Sequence, residues 1–259
     1  MEAMSAPAPI IAIKGLALAF ERNGQRTQVL RGLDLDVGRG EFIAIVGASG
    51  VGKSTLLRVL MGLARPTEGE ARIEPGCTLA MVFQDARLLP WRRVLSNVCF
   101  GLEKLPLDRA ARRDRALRAL ALVGLRDMAE RWPHQLSGGQ RQRVALARAL
   151  AVDPAILLMD EPFSALDVAT RETLQDELLR IRAETGKTIL FVTHDIEEAV
   201  YLADRVVALG GKPGEVRSSR TIDIVRPRAR GSLAIQEVAG AIKEAITAEA
   251  AEARDNWVI

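Results

Sequence analysis

Residues 42–55, Phe42-Ile43-Ala44-Ile45-Val46-Gly47-Ala48-Ser49-Gly50-Val51-Gly52-Lys53-Ser54-Thr55, decide the fold of this 259-residue chain. The first five form an unbroken apolar run, the pattern of a strand buried on both faces. Beyond Thr55, Leu56, Leu57, Leu60 and Leu63 predict a helix that stops near Gly62-Arg65-Pro66. Between the two, Gly47-x-x-x-x-Gly52-Lys53-Ser54 has the spacing of a phosphate-cradling loop in the strand–loop–helix context that such a loop requires. Glycines let successive N–H groups curl around phosphate oxygens. The helix behind the loop aims its positive end at them. Lys53 supplies a point charge to the β- and γ-phosphates, and the Ser54 hydroxyl a ligand to Mg²⁺. The whole stretch Gly47, Ala48, Ser49, Gly50, Val51, Gly52, Lys53, Ser54 and Thr55 is therefore expected to hold a nucleotide, ATP, with its Mg²⁺.

Upstream, residues 10–46 read as strands. Ile11, Ile13, Leu16, Leu18 and Phe20 are apolar, Asn23-Gly24 marks a turn, and Leu33, Leu35 and Val37 alternate with Asp34 and Asp36. Downstream, residues 86–150 turn Arg- and Ala-rich, with Leu117, Leu120 and Leu122 on one side of a helix from Asp108 to Leu122. This is a helical lobe inserted into an α/β core. Strand patterns return at Ile156–Met159 and Thr188–Val192, with a helix over Ala169–Glu184 that carries Leu174, Leu178 and Ile181. After Leu209-Gly210-Gly211 the pattern weakens. Ile235, Val238, Ala239, Ile242 and Ile246 then mark an amphipathic helix whose apolar stripe suits packing on the core. The expected division is a tail over 1–9, a nucleotide-binding domain over 10–211 with its helical lobe at about 86–150, and an extension over 212–259.

Two further constellations carry chemistry. Ile156-Leu157-Leu158-Met159 ends in Asp160-Glu161, so a buried strand delivers two acids to the sheet edge where ligands gather in open α/β sheets. Asp160 can hold Mg²⁺ through water, and Glu161 can polarise an attacking water. In Leu136-Ser137-Gly138-Gly139-Gln140, Ser137 is a good N-cap and the two glycines expose N–H groups at a helix start, a second anion site.

At this string the chain resembles the ABC (ATP-binding cassette) family, for which LSGGQ is diagnostic. The resemblance spans roughly residues 10–210. It implies a P-loop NTPase (RecA-like) α/β fold with an antiparallel β subdomain and the inserted helical lobe. It also places Gln84, in Val82-Phe83-Gln84-Asp85, where it would touch Mg²⁺ and the water. Asp167 closes Ser164-Ala165-Leu166-Asp167, which matches the D-loop, and His194 matches the switch histidine that contacts the γ-phosphate. Phe20 falls where the family stacks an aromatic on adenine, usually Tyr; stacking needs only a π-face, and a core role is the competing reading for this Phe. The catalytic set is thus Glu161, His194 and Gln84. The nucleotide set adds Phe20, the loop, Ser137, Gly138, Gly139, Gln140 and Asp167, and the metal set is Ser54, Gln84 and Asp160. The family pairs cassettes head to tail, with ATP between one P-loop and the other's signature, so a second ATPase subunit is implied, in a homodimer.

The balance of 36 Lys and Arg against 33 Asp and Glu is mildly basic and selects no partner by itself. Two cysteines, Cys77 and Cys99, without CxxC spacing imply neither a disulfide framework nor a zinc site. The segment 1–9 lacks the basic and apolar regions of a signal peptide, and no run approaches the ~20 apolar residues that cross a bilayer. A membrane role would then come through permease subunits. A finer resemblance, carried by Leu88-Leu89-Pro90-Trp91-Arg92, by Pro162-Phe163-Ser164 with Thr170-Arg171, and by Thr193–Val200, points to the nitrate/sulfonate/taurine importer group. It implies an ATPase at the cytoplasmic face of the inner membrane that works with a permease and, indirectly, a substrate-binding protein. Residues 86–105 are the expected groove for the permease's coupling helix, with Leu88 and Trp91 as contacts and lobe core as the competing reading. The alternative, a soluble ABC ATPase acting on nucleic acid, calls for paired cassettes in one chain or long coiled coils, neither of which is visible. The arginines of 109–118 alternate with Asp and Ala as on a solvated helix face, so no nucleic-acid partner is expected. A non-hydrolysing nucleotide switch is disfavoured because Glu161 is present.

Overall fold

The computed structural model describes residues 8–22 and 24–255. The expected tail lies outside the described residues up to Pro7, and so does Asn23 of the expected turn. In chain order the elements are β1 (Ile11–Arg22), β2 (Gln25–Val37), β3 (Phe42–Val46), α1 (Lys53–Leu60), β4 (Glu68–Ile73), β5 (Leu79–Val82), α2 (Val94–Gly101), α3 (Arg109–Leu122), α4 (Gly138–Ala151), β6 (Ile156–Asp160), α5 (Val168–Thr185), β7 (Thr188–Val192), α6 (Ile196–Leu202), β8 (Arg205–Gly210), β9 (Glu215–Thr221) and α7 (Leu233–Asp255). They fall into two compact units, one ending at Gly76 and resuming at Leu190, the other spanning Cys77–Ile189.

In the first unit, β2, β1 and β4 form an antiparallel sheet in that order, with Ile13 opposite Leu35 and Ile11 opposite Ile73. Leu33, Leu35 and Val37 are buried while Asp34 and Asp36 face out, so period-two alternation sets which face meets the core. The strand β3 is buried at every residue and pairs in parallel with β8, from Ile43 opposite Arg205 to Val46 opposite Ala208. On the far edge of β8 lies antiparallel β9. The sequence pattern did not announce β9, because its residues, Glu-Val-Arg-Ser-Ser-Arg-Thr, lack an apolar face. The end of β7 lies beside β3, where the Thr193 N–H donates to the Ile45 carbonyl at 3.1 Å.

The helix α1 buries Leu56, Leu57 and Leu60 as expected. It closes one turn earlier than the leucines suggested, and Leu63 is 68% exposed. Gly62 turns the chain at φ 69° and moves Leu63 off the helical stripe. The amphipathic helix expected near the C-terminus is α7. It buries Ile235, Ala239 and Ile242 and packs on α6, β8 and β9, while Val238 and Ile246 are half-buried. Removing the Ile235 and Ile242 side chains from water contributes about 1.5–3 kcal/mol each, and the alanine and the half-buried residues less.

In the second unit, β5 and β6 run parallel, Leu79 opposite Ile156 and Val82 opposite Met159. The start of β7 adjoins β6 through the Thr188 N–H on the Ala155 carbonyl, so β7 carries the chain from this unit into the other. Helix α4 is the hub of the lobe and touches α2, α3, α5 and β5. In α3 the buried face is Ala116, Ala119 and Leu120, whereas Leu117 and Leu122 are only half-buried. The alanines permit close helix packing, so they rather than all three leucines line the seam. In α5, Leu174, Leu178 and Ile181 are buried as their spacing predicts. Cys77 and Cys99 are half-buried and not joined in a disulfide, and burial pushes the Cys99 thiol up from its ordinary value. Among the described residues no helix is long and apolar enough to cross a membrane.

Candidate active site

The first unit carries the P-loop. Its strand is fixed by β8, and the loop leaves it through Gly47, where an added Cβ would stand 2.4 Å from the Leu209 carbonyl oxygen. Gly52, with φ 110°, is the N-cap of α1, and a Cβ there would stand 2.4 Å from Leu30 Cδ2 of β2. Both contacts exclude any side chain. The antiparallel sheet therefore presses directly against the loop. Lys53 is only 4% exposed, and its ammonium donates to the carbonyls of Gly47 at 2.8 Å and Ala48 at 3.1 Å. Its charge is thus held inside the loop's curl. The start of α1 has no side-chain cap. Ser54 and Thr55 are half-buried on the first turn. Phe20 lies near the end of β1 opposite Thr27 and is 46% exposed, so it is no core residue and offers a ring face.

His194 follows β7 in the same unit. The buried Thr193 hydroxyl donates to Glu198 at 2.5 Å and accepts from the Asp195 N–H at 3.0 Å, and Asp195 caps α6 by accepting from the Glu198 N–H. His194 itself is exposed. It borders a cleft of ≈ 610 Å³ whose other wall includes Gln236, Gly240 and Lys243 of α7.

The second unit carries the remaining residues. Gln84 follows β5 and Asp160 ends β6, so these adjacent parallel strands bring both to one sheet edge. Glu161 adopts φ 44°, a left-handed conformation that costs a non-glycine residue about 1–2 kcal/mol. The turn is held by Ser164, whose hydroxyl donates to the Glu161 carbonyl at 2.9 Å. Ser137 caps α4 in a reciprocal box, its hydroxyl accepting from the Gln140 N–H at 3.2 Å while its N–H donates to Gln140 Oε1 at 3.0 Å. Gly139 faces Thr170, whose Cγ2 would stand 2.3 Å from an added Cβ. Asp167 caps α5, and the Thr170 N–H holds its carboxyl below the usual carboxylate value.

Several positioning groups carry no motif and were missed in the sequence. Gln142, buried on α4, donates to the Phe83 carbonyl at 2.9 Å and ties the signature helix to the residue before Gln84. Arg148 grips the carbonyls of Ala86 and Arg87 at 2.8 and 2.9 Å, and burial lowers its guanidinium pKa. Asn97, fully buried, donates to the Leu89, Arg92 and Arg93 carbonyls and accepts from the Leu89 N–H. It staples a loop on which Trp91 is 71% exposed, so Trp91 is not lobe core, while Leu88 is half-buried. The remaining histidine, His134, is exposed on the short turn Pro133–Gln135.

Ser54, Gln84 and Asp160 offer hydroxyl, amide and carboxylate oxygens, hard donors of the kind Mg²⁺ takes alongside phosphate. Among the described residues there is no group of three or more His, Cys, Asp and Glu that could hold a metal ion by itself.

Fold and site together define a P-loop nucleotide-binding protein of α/β class. The sequence profile of the ABC transporter family matches residues 30–164. The aliphatic sulfonates import ATP-binding protein SsuB of Pseudomonas putida is 51% identical over 232 residues, covering 86% of this chain and 80% of that protein. The taurine import ATP-binding protein TauB of Pseudomonas aeruginosa is 44% identical over 227 residues, 85% of this chain and 86% of that one. Among solved structures, a dimeric ATP-binding cassette in a post-hydrolysis state with ADP and phosphate superposes with a TM-score of 0.72 at 35% identity, covering 83% of this chain and all of that one. The chain belongs to the ABC transporter family and is one of its ATP-binding, ATP-hydrolysing cassettes.

Proposed function

We propose that this chain energises an importer of small organosulfonates, of alkanesulfonate or taurine type, as a cytoplasmic-side ATPase bound to a separate permease. The solute class rests on the printed functions of the two import proteins named above. The observation that carries the hydrolytic role is Glu161, set in a strained turn at the mouth of a buried strand beside Asp160 and one strand from Gln84.

In this reading Gly47–Thr55 wraps the phosphates, Lys53 neutralises the β- and γ-oxygens, and Phe20 stacks on adenine. Ser54, Gln84 and Asp160 would hold Mg²⁺, which supplies positive charge against the transferring phosphoryl group. Glu161 accepts the proton of a water whose oxygen bonds the γ-phosphorus as the bond to the β–γ bridging oxygen breaks. ADP and phosphate leave. His194 donates to the γ-phosphate oxygens, and Ser137, Gly138, Gly139 and Gln140 of a second copy complete the site, with Asp167 at the seam. Loss of the shared phosphate contacts on hydrolysis lets the two copies part. Trp91 and Leu88, on the loop stapled by Asn97, form the contact through which the permease senses that motion.

The test is Glu161→Gln, assayed for turnover and for mass in solution with ATP. Hydrolysis is expected to fall at least a hundred-fold while ATP holds the chain as a dimer. Unchanged turnover would remove Glu161 from the chemistry. Loss of alkanesulfonate or taurine uptake in cells carrying that variant checks the solute class.

A further inference from the structure

The helix α6 begins one residue after His194's neighbour Asp195 and is only seven residues long. Such a helix leaves its last four carbonyls without intrahelical donors. Here the Ala199 carbonyl accepts from the N–H of the cap residue Ala203, and the carbonyls of Val200, Tyr201 and Leu202, with that of Ala203 itself, are taken by two arginines from the segment after β9. Arg228 Nη1 lies 2.5 Å from the Val200 carbonyl, 3.2 Å from that of Tyr201 and 2.6 Å from that of Ala203. Arg226 Nη2 donates to the Leu202 carbonyl at 2.5 Å. Arg228 is only 7% exposed, and its other nitrogens hold the carbonyls of Ile222 and Ile224, so one guanidinium stitches the C-terminal segment to the helix. Arg226 also pairs with Asp204, whose carboxylate accepts the Phe42 N–H at the start of the P-loop strand. Arg230 covers the Tyr201 ring at 3.8 Å.

The other end of α6 is fixed just as firmly by the Asp195 cap and the Thr193–Glu198 bond on either side of His194. A two-turn helix held at both ends transmits displacement rather than absorbing it. The cations also complement the helix's negative C-terminal end.

We propose that Arg228 is a positioning residue for His194: the segment 222–230 is a strap that sets where α6 sits and hence where the imidazole meets the γ-phosphate. The role of the 212–259 extension is thereby structural support of the hydrolytic step. This rests on the reading of His194 given above.

The test uses the full chain with Arg228→Gln and Arg228→Lys. The chain has two histidines, so labelled imidazole resonances report His194 with His134, in the other compact unit, as internal reference. Arg228→Gln is expected to lower kcat about ten-fold with the KM for ATP within about two-fold, and to shift the His194 resonance while His134 stays. Arg228→Lys, which keeps the charge and part of the donor set, recovers much of kcat. Should Arg228→Gln not fold, Arg228→Lys carries the same comparison at smaller amplitude. An unmoved His194 resonance overturns the proposal. So does a parallel change in both histidines, or a fall in kcat matched by an equal fall in the number of nucleotide-binding sites titrated, the mark of general unfolding. His194→Ala separates the two readings: unchanged kcat there would end His194's role in hydrolysis, while a displaced His194 resonance in Arg228→Gln would still report the strap.

Discussion

Gly138 and Gly139 are adjacent, identical in chemistry and different in surroundings. A Cβ on Gly138 would meet Leu166 Cδ2 at an ordinary 3.6 Å, whereas one on Gly139 would collide with Thr170 Cγ2 at 2.3 Å. Thr170 is β-branched, has few rotamers to move into, and sits in the first turn of α5. Gly139→Ala should therefore cost about 1–3 kcal/mol of stability by overpacking, and Gly138→Ala much less; thermal melts of the two variants check this. Equal melting points would mean that α4 and α5 yield at that seam. Lys53 is a second residue whose environment matters more than its type. Held against the loop's own carbonyls, it keeps the cradle closed as well as charged. Lys53→Met should abolish nucleotide binding, read by loss of a fluorescent ATP analogue's signal, and retained affinity would place the anchoring charge elsewhere.

At the scale of elements, caps and staples decide where motif residues stand. Asn97 uses both its amide nitrogen and its oxygen to hold the loop 89–93 onto the start of α2. Asn97→Ala takes the side-chain partner from the part-buried Leu89 N–H and Arg92 carbonyl, at about 1 kcal/mol each, while the Leu89 and Arg93 carbonyls keep backbone donors. In the isolated chain it should spare most ATP turnover but lower stability by about 2 kcal/mol; in a reconstituted transporter, uptake should fall further than hydrolysis. Equal loss of both would argue that the loop is not the coupling surface. The cap of α5 predicts a pH dependence. Asp167's carboxyl is held below its ordinary value of 3.8 by the Thr170 N–H, so the native state binds its proton less readily than the unfolded chain. Its stabilisation is complete above that value and fades as pH falls through the lower folded one. Asp167→Asn should flatten that part of the acid-denaturation curve, and an unchanged curve would mean that other carboxylates govern it.

At the scale of the whole molecule, the two helix starts proposed as phosphate sites fall in different compact units, Gly52–Lys53 in one and Ser137–Gly138 in the other. If each completes the site of a second copy, turnover per chain must rise with protein concentration at low concentration and then level off. A rate per chain independent of concentration would place a whole site in one copy.

The glycine-rich loop between β3 and α1, the acidic end of β6 and the Ser137 cap were legible in the sequence because each is a local device, whereas the roles expected of Gln84, Asp167 and His194 came from the family resemblance alone. A glycine beside a strand, a serine three residues before a glutamine and an apolar run ending in two acids act through groups a few residues away. The same holds for α5 and for the alternation in β2, where periodicity alone selects the buried face. Tertiary structure alone decided the exposure of Phe20 and Trp91, the alanine seam of α3, and β9, which has no apolar face to announce it. It alone revealed Asn97, Gln142, Arg148, Arg226 and Arg228, ordinary polar residues whose functions are conferred by carbonyls from other parts of the chain. A buried amide or guanidinium is stable only where such carbonyls converge. That convergence depends on how elements pack, which no local pattern of residues encodes.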